Sequence, residues 1–198
     1  MGNKWDNCIN TVWEDVKQMY LAPYMGLKII PNAYTNYRIP MNGETVLDIG
    51  GGPSSLLLKC EKVKGTVVDP CDYPDWVVQR YNIANIEYLK MKGEDIDRIM
   101  QERGYADDFG AFEVFDEIWI YDCLRHTENP KKIIENAKKI GQVIRLFEWI
   151  DTGVNGEHLH SLTQSQLEGW LGGKGKVSNL SSDSLYGKAF SGIFFGNH

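Results

Sequence analysis

The sequence predicts an α/β fold, parallel strands alternating with helices, on three observations. An apolar run, Thr45 to Ile49, ends in Gly50-Gly51-Gly52 and resumes as Leu56-Leu57-Leu58, which reads as strand, tight turn and then a helix over Ser54 to Glu61. Asp69 closes a second apolar strand, beginning at Lys64, nineteen positions after Gly50. A third strand, Ile86 to Lys90, runs out into Gly93-Glu94-Asp95. Ligands in open α/β sheets bind outside the carboxyl ends of the strands, so three strands ending in acids or glycines at one edge form a coherent site.

Length and composition set the bounds. The 198 residues fit one domain with a sizeable core, here residues 1 to 198, divided into an N-terminal helical lid (1 to 40) and an α/β core (41 to 198). Hydrophobic residues make up 42% and charged residues 24%, as in ordinary globular proteins. The formal net charge of -6 argues against a duplex nucleic acid as partner, because such binding needs clustered Lys and Arg. The four cysteines are scattered without Cys-x-x-Cys spacing, so they read as reduced thiols in a cytoplasmic protein without a zinc site. No run of about 18 apolar residues is present to span a bilayer, and no membrane association is expected.

In chain order, Trp5, Ile9, Val12, Trp13, Val16, Met19 and Tyr20 recur at spacings of three and four. They predict a helix ending before Pro23 whose apolar face covers the core. Pro31 to Pro40, rich in turn formers and tyrosines, reads as an irregular part of the lid. After the third strand a helix runs toward Arg103. Phe115 to Tyr121 is a fourth strand, and the chain leaves it through Asp122-Cys-Leu-Arg-His126. Asn129 as cap and Pro130 at the first helical position start a helix that buries Ile133, Ile134, Ala137 and Ile140 and stops at Gly141. Val143 to Trp149 is a fifth strand, and Thr163 with Gln166 has capping-box spacing for a helix through Trp170. Lys176 to Leu180 and Ala189 to Phe195 are joined by a link too short for a crossover helix, so they pair antiparallel.

The ligand chemistry follows from the acids. The pyrophosphate fingerprint wants glycine five residues after Gly50, where Ser55 stands. Asp48 at the strand end would repel a pyrophosphate but suits a ligand carrying an ammonium or sulfonium group. Asp69 sits where a carboxylate reaches a ribose diol. Glu94 and Asp95 are either ligand contacts or caps of the following helix. His126, His158 and His160 are the candidate bases, since neutral imidazole titrates near pH 7, and the latter two precede a helix N-terminus that disfavours the imidazolium. His158 and His160 could also share a metal, but two ligands fall short of four, and no metal is expected.

With these motifs in order the chain resembles the class I S-adenosylmethionine-dependent methyltransferases, in their small-molecule, type 11-like group. The resemblance covers about residues 43 to 150 by motif. Val46-Leu-Asp-Ile-Gly-Gly-Gly-Pro is similar to the family's first motif, Asp69 to its ribose acid, Gly93-Glu94-Asp95-Ile96 to its adenine-side motif, and Cys123 to Pro130 to its segment after strand four. The family's third glycine is here Ser54. The resemblance implies a Rossmann-like, seven-stranded, mostly parallel sheet with an antiparallel last strand and helices on both faces. It implies S-adenosyl-L-methionine as cofactor, with Asp48, Gly50, Gly51, Gly52, Asp69, Glu94, Asp95 and Asp122 around it. Methyl transfer to a small-molecule or glycan-like acceptor under the lid follows, with Tyr37 and Trp149 as the expected acceptor contacts.

Two other readings stay open on the residues alone. A nicotinamide (NAD(P)-dependent) dehydrogenase shares the strand, glycine and ribose-acid logic, although Asp48 and Ser55 oppose it. A catalytically silent cofactor-binding subunit would use the tyrosine-rich lid as a protein interface.

Overall fold

A computed structural model describes residues 11–102, 115–181 and 185–196 of the chain. The glycine strand, β3 (Thr45–Ile49), lies within the main sheet, parallel to β5 (Lys64–Asp69) on one side and β7 (Phe115–Tyr121) on the other. With β6 (Glu87–Lys90), β8 (Gly141–Ile150), β9 (Lys176–Ser181) and β10 (Tyr186–Phe195) the order is β6-β5-β3-β7-β8-β10-β9, and β10 is antiparallel to both its neighbours. The Rossmann-like, seven-stranded expectation is met.

The central strands are apolar along nearly their whole length because the sheet is covered on both faces. Period two then sorts their side chains. Leu47, Ile49, Ile118 and Ile120 pack with Ile133, Ile134 and Ala137 of α4 (Pro130–Ile140) and with Leu167 and Leu171 of α5 (Gln164–Leu171). Val46, Trp119 and Tyr121 face the other way, onto Leu21, Met25, Tyr37, Leu56, Leu57 and Tyr81. Gly141 ends α4 as expected, but with extended dihedrals, and opens β8 without a loop. A Cβ there would lie 2.1 Å from Ile118 Cγ1, so the strand crosses too close for any side chain. Thr163 and Gln166 form the reciprocal capping box. Arg103 and residues 182–184 of the β9-β10 link lie outside the described residues.

Three expectations are corrected. Residues 31–40 are not irregular: β1 (Ile30–Asn32) and β2 (Asn36–Pro40) form a hairpin, and β2 pairs in parallel with β4 (Cys60–Glu61). The turn is set by Asn32, whose Oδ1 accepts the amides of Tyr34 and Thr35. Nor does a helix fill Ser54 to Glu61. Only a 3-10 turn, Leu56–Lys59, forms, because Cys60 and Glu61 are drawn into the small sheet.

The third correction concerns α1 (Thr11–Leu21), which continues as a 3-10 turn over Ala22–Met25. Trp5 and Ile9 lie outside the described residues, but Val12, Trp13, Val16 and Tyr20 of the expected core face are exposed, at 71%, 46%, 37% and 58%. The helix docks instead through its polar side. Gln18 is buried, donates to the Ser54 carbonyl and accepts from the Tyr37 hydroxyl at 3.1 Å, while Asp15 pairs with Lys59 at 2.7 Å. Polar groups matched one to one can replace an apolar stripe as the inward face. Among the described residues no helix is long and apolar enough to cross a membrane.

Candidate functional site

A cavity of about 560 Å³ opens at the carboxyl ends of β3, β5 and β7. Its floor is the glycine turn. Gly50 (φ +74°) and Gly52 (φ +58°) adopt left-handed dihedrals, and a Cβ on Gly50 would meet Cys123 Cβ at 2.5 Å. Residues outside the motifs read from the sequence hold the turn. Tyr81 donates its hydroxyl proton to the Gly52 carbonyl at 2.5 Å and accepts from the Ser55 amide at 3.1 Å, and Arg80 donates to the Pro53 carbonyl.

Four amides of this turn are already engaged. Gly50 donates to the Val68 carbonyl, Gly52 to Asp69, Ser55 to Tyr81 and Leu57 to the Ser55 hydroxyl. With those donors taken and only a short 3-10 turn behind them, the cavity does not face the N-terminus of a long helix with its row of free amides. An anionic pyrophosphate would find few partners here.

The acids lie where the strand pattern put them, with different surroundings. Asp48 is buried against the glycines and its Oδ2 accepts from the Ser55 hydroxyl at 2.5 Å, while Oδ1 has no hydrogen-bond partner among the described residues. Burial pushes its carboxyl up to about 7. Asp69 accepts the Gly52 amide at 3.1 Å and the Cys71 amide at 2.9 Å, and burial raises it as well, against the pull of those hydrogen bonds. Glu94 lines the cavity and accepts from the Asn129 amide at 2.9 Å, which ties the end of β6 to the cap of α4. Asp95 does not line it; its carboxylate lies 3.7 Å from Lys132.

Asp122, at the end of β7 with φ +49°, carries two cations: Lys17 Nζ at 3.3 Å and Arg125 Nη2 at 3.0 Å. Burial opposes protonation of Lys17, but the Asp122 and Glu14 carboxylates outweigh it and hold the ammonium charged. Beneath Arg125, Glu148 is fully buried. It accepts the Leu124 amide at 2.7 Å and the Trp149 amide at 2.9 Å, with Arg125 Nε at 3.8 Å. Burial, with Asp122 nearby, pushes Glu148 up to about 8 despite Arg125.

Of the three candidate bases only His126 lines the cavity. Its Nδ1 lies 2.9 Å from the Glu157 carbonyl, which can only accept, so Nδ1 carries the proton and the lone pair is on Nε2. Burial lowers its pKa and keeps it neutral. His158 packs its ring beside His126, and His160 Nε2 lies 3.0 Å from the Thr127 carbonyl, so both brace the segment that bears His126. Tyr37 and Trp149 do not stand at the cavity: Tyr37 is fully buried on Gln18, and Trp149 packs edge-on against Phe147 in the core. Both belong to strands whose alternation turns them toward the core. Glu14, Lys17, Gln18, Tyr73 and Arg125 line the cavity unforeseen, the first three because α1 turns its polar side inward.

No protein-family model and no curated protein matches the sequence. Solved structures do. A chain of the complex between the Haloferax volcanii Trm112 methyltransferase activator and a methyltransferase superposes over 100% of both chains, with a TM-score of 0.62 at 11% identity. The plantazolicin methyltransferase BamL, in complex with a desmethyl analogue and SAH, matches 98% of this chain and 88% of its own, with a TM-score of 0.59 at 13% identity. An Aquifex aeolicus SAM-dependent methyltransferase matches 88% of each, with a TM-score of 0.52 at 16% identity. The chain has the class I methyltransferase fold. In that fold the cavity described above lies at the edge where β3, β5 and β7 end, the place Asp48, Asp69 and Asp122 share.

Proposed function

We propose that the protein is an S-adenosylmethionine-dependent methyltransferase acting on a small-molecule or glycan-like acceptor admitted beside α1. One observation carries the reading: the glycine turn presents acids to its cavity while four of its amides are taken up within the protein, so it favours a cationic ligand over a pyrophosphate. The volume accommodates a nucleoside with a short side chain. The buried, unpartnered Oδ1 of Asp48 fits a cation, which would also restore that carboxyl's charge.

In this reading Asp69 accepts the two hydroxyls of the ribose, Glu94 stands on the side of the base, and Asp48 and Asp122 face the charged end, with Gly50, Gly51 and Gly52 allowing close approach. Bound there, S-adenosylmethionine supplies a methyl group already activated by its sulfonium. The protein's part is to position an acceptor in line, exclude water and take its proton. His126 is the residue for that last task, through Nε2. His158 and His160 hold its segment, and Asp95 steadies α4 through Lys132.

Calorimetric titration with S-adenosylmethionine, S-adenosylhomocysteine and NAD side by side tests the reading. Micromolar binding of the first two with none of NAD supports it; the reverse preference would return the chain to the dehydrogenases.

A second reading, in which a protein partner is needed for turnover or served by a silent subunit, draws on the exposed Val12, Val16 and Tyr20 of α1. The fold neighbour from Haloferax volcanii was itself solved in a complex with an activator. A stable heteromer on co-purification, with activity only in the complex, would favour it.

A further inference from the structure

We infer that Lys17 and Asp122 together recognise the amino-acid end of the cofactor, Lys17 taking its carboxylate and Asp122 its ammonium. The inference rests on the methyltransferase reading and adds a residue of α1 to it.

Its starting point is the ion pair that joins α1 to the end of β7 across 105 residues of sequence. Both partners line the cavity, and they are partly open to solvent, with side-chain exposures of 21% and 10%. An α-amino acid carries one positive and one negative group on adjacent atoms, as this pair does. Opening the pair and inserting such a zwitterion exchanges one neutral arrangement for another, so no charge is left uncompensated in a largely buried site. Glu14, 3.0 Å from Lys17, keeps the ammonium at the cavity while the pair is open.

The other cations lining the cavity suit the role less well. Arg125 is less exposed than Lys17, at 12%, and is bonded to Asp122 through Nη2, while its Nε is buried 3.8 Å from Glu148. Lys92 is half-exposed and pairs with Glu128 at 2.8 Å, on the Glu94 side. Lys17 sits one residue from Gln18, which is bonded to the Ser54 carbonyl of the glycine turn. This places the ammonium over the same end of the cavity as Gly50 to Gly52 and Asp122.

The test titrates wild type, Lys17→Met and Lys17→Arg with three ligands. S-adenosylhomocysteine has both charged groups, decarboxylated S-adenosylmethionine lacks the carboxylate, and 5′-methylthioadenosine lacks both. Lys17→Met should weaken S-adenosylhomocysteine by about tenfold or more, as loss of a charge-assisted hydrogen bond requires. It should leave methylthioadenosine unchanged and bind the decarboxylated ligand at least as well as wild type, because Asp122 then keeps Arg125 on Oδ1 and has Oδ2 open to the ligand's ammonium. Lys17→Arg should retain most of the affinity for S-adenosylhomocysteine. An equal change for all three ligands, or none for any, overturns the inference while leaving the cofactor assignment standing. Wild type that binds none of the three overturns both.

Discussion

Asp69 Oδ2 lies 3.1 Å from the amide nitrogen of Gly52, so the acid that ends β5 also closes the turn that ends β3. Its other oxygen holds the Cys71 amide at 2.9 Å. Two donors thus need two acceptor atoms. Asp69→Asn supplies one, and leaves a second buried amide facing an NH2 group. The variant should lose about 1–3 kcal/mol of stability and bind S-adenosylhomocysteine at least about tenfold more weakly. Thermal unfolding and calorimetry read the two effects. Wild-type melting would show that the carboxylate does not close the turn.

Tyr81 serves the same turn from α2 (Asp75–Ile83), with its hydroxyl between the Gly52 carbonyl and the Ser55 amide. Tyr81→Phe keeps the ring, which stacks on Tyr88 with centroids 5.6 Å apart, and removes only the hydroxyl. Stability should fall by about 1–3 kcal/mol, since two buried polar groups lose their partner. Denaturant unfolding measures this. A midpoint unchanged from wild type would mean that water replaces the hydroxyl.

Asp48 gives a pH signature to ligand binding. Its carboxyl titrates at about 7 in the free protein, and a cation alongside favours the charged form and lowers that pKa. Affinity for S-adenosylmethionine should therefore rise with pH up to about 7 and level off above, with protons released on binding below that point. Calorimetry in buffers of different ionisation enthalpy detects the release. Asp48→Asn should abolish it; release that persists in this variant assigns the proton to another group.

Glu148 gives a pH signature to stability. Its folded pKa, about 8, lies above the ordinary value of 4.5, so the native state holds its proton more tightly than the unfolded chain does. That contribution is fully present below about pH 4.5 and is lost as pH rises through about 8, a change on the order of a few kcal/mol. Glu148→Gln cannot titrate and should show a flatter profile over this window, although it starts lower because one of two backbone donors loses its acceptor. Equilibrium unfolding at a series of pH values compares the two slopes. Parallel curves would rule out Glu148 as the titrating group.

Much of this site was legible because short-range patterns specify it. The run Thr45 to Ile49 is apolar because its strand is covered on both faces, and the glycines follow because the chain must turn at its end with positive φ. Asp69 at the end of β5, the Asn129-Pro130 start of α4 and the Thr163 capping box follow from spacings within one element or one turn. These rules act over a few residues, and the sequence states them directly.

The contacts between distant segments were decided only in three dimensions. The apolar spacing in α1 pointed to a core-facing stripe, but the polar matches of Gln18 with Ser54 and Tyr37, of Asp15 with Lys59 and of Lys17 with Asp122 turned the opposite face inward. Tyr37 moved from an expected acceptor contact into the core when residues 31–40 paired as strands, and Cys60 and Glu61 joined them instead of extending a helix. Which of three histidines reaches the cavity depended on the Glu157 carbonyl meeting His126 across 31 residues. Local sequence determines which conformations each segment favours, whereas the pairing of buried donors and acceptors far apart in the chain decides which face of each segment turns toward the site.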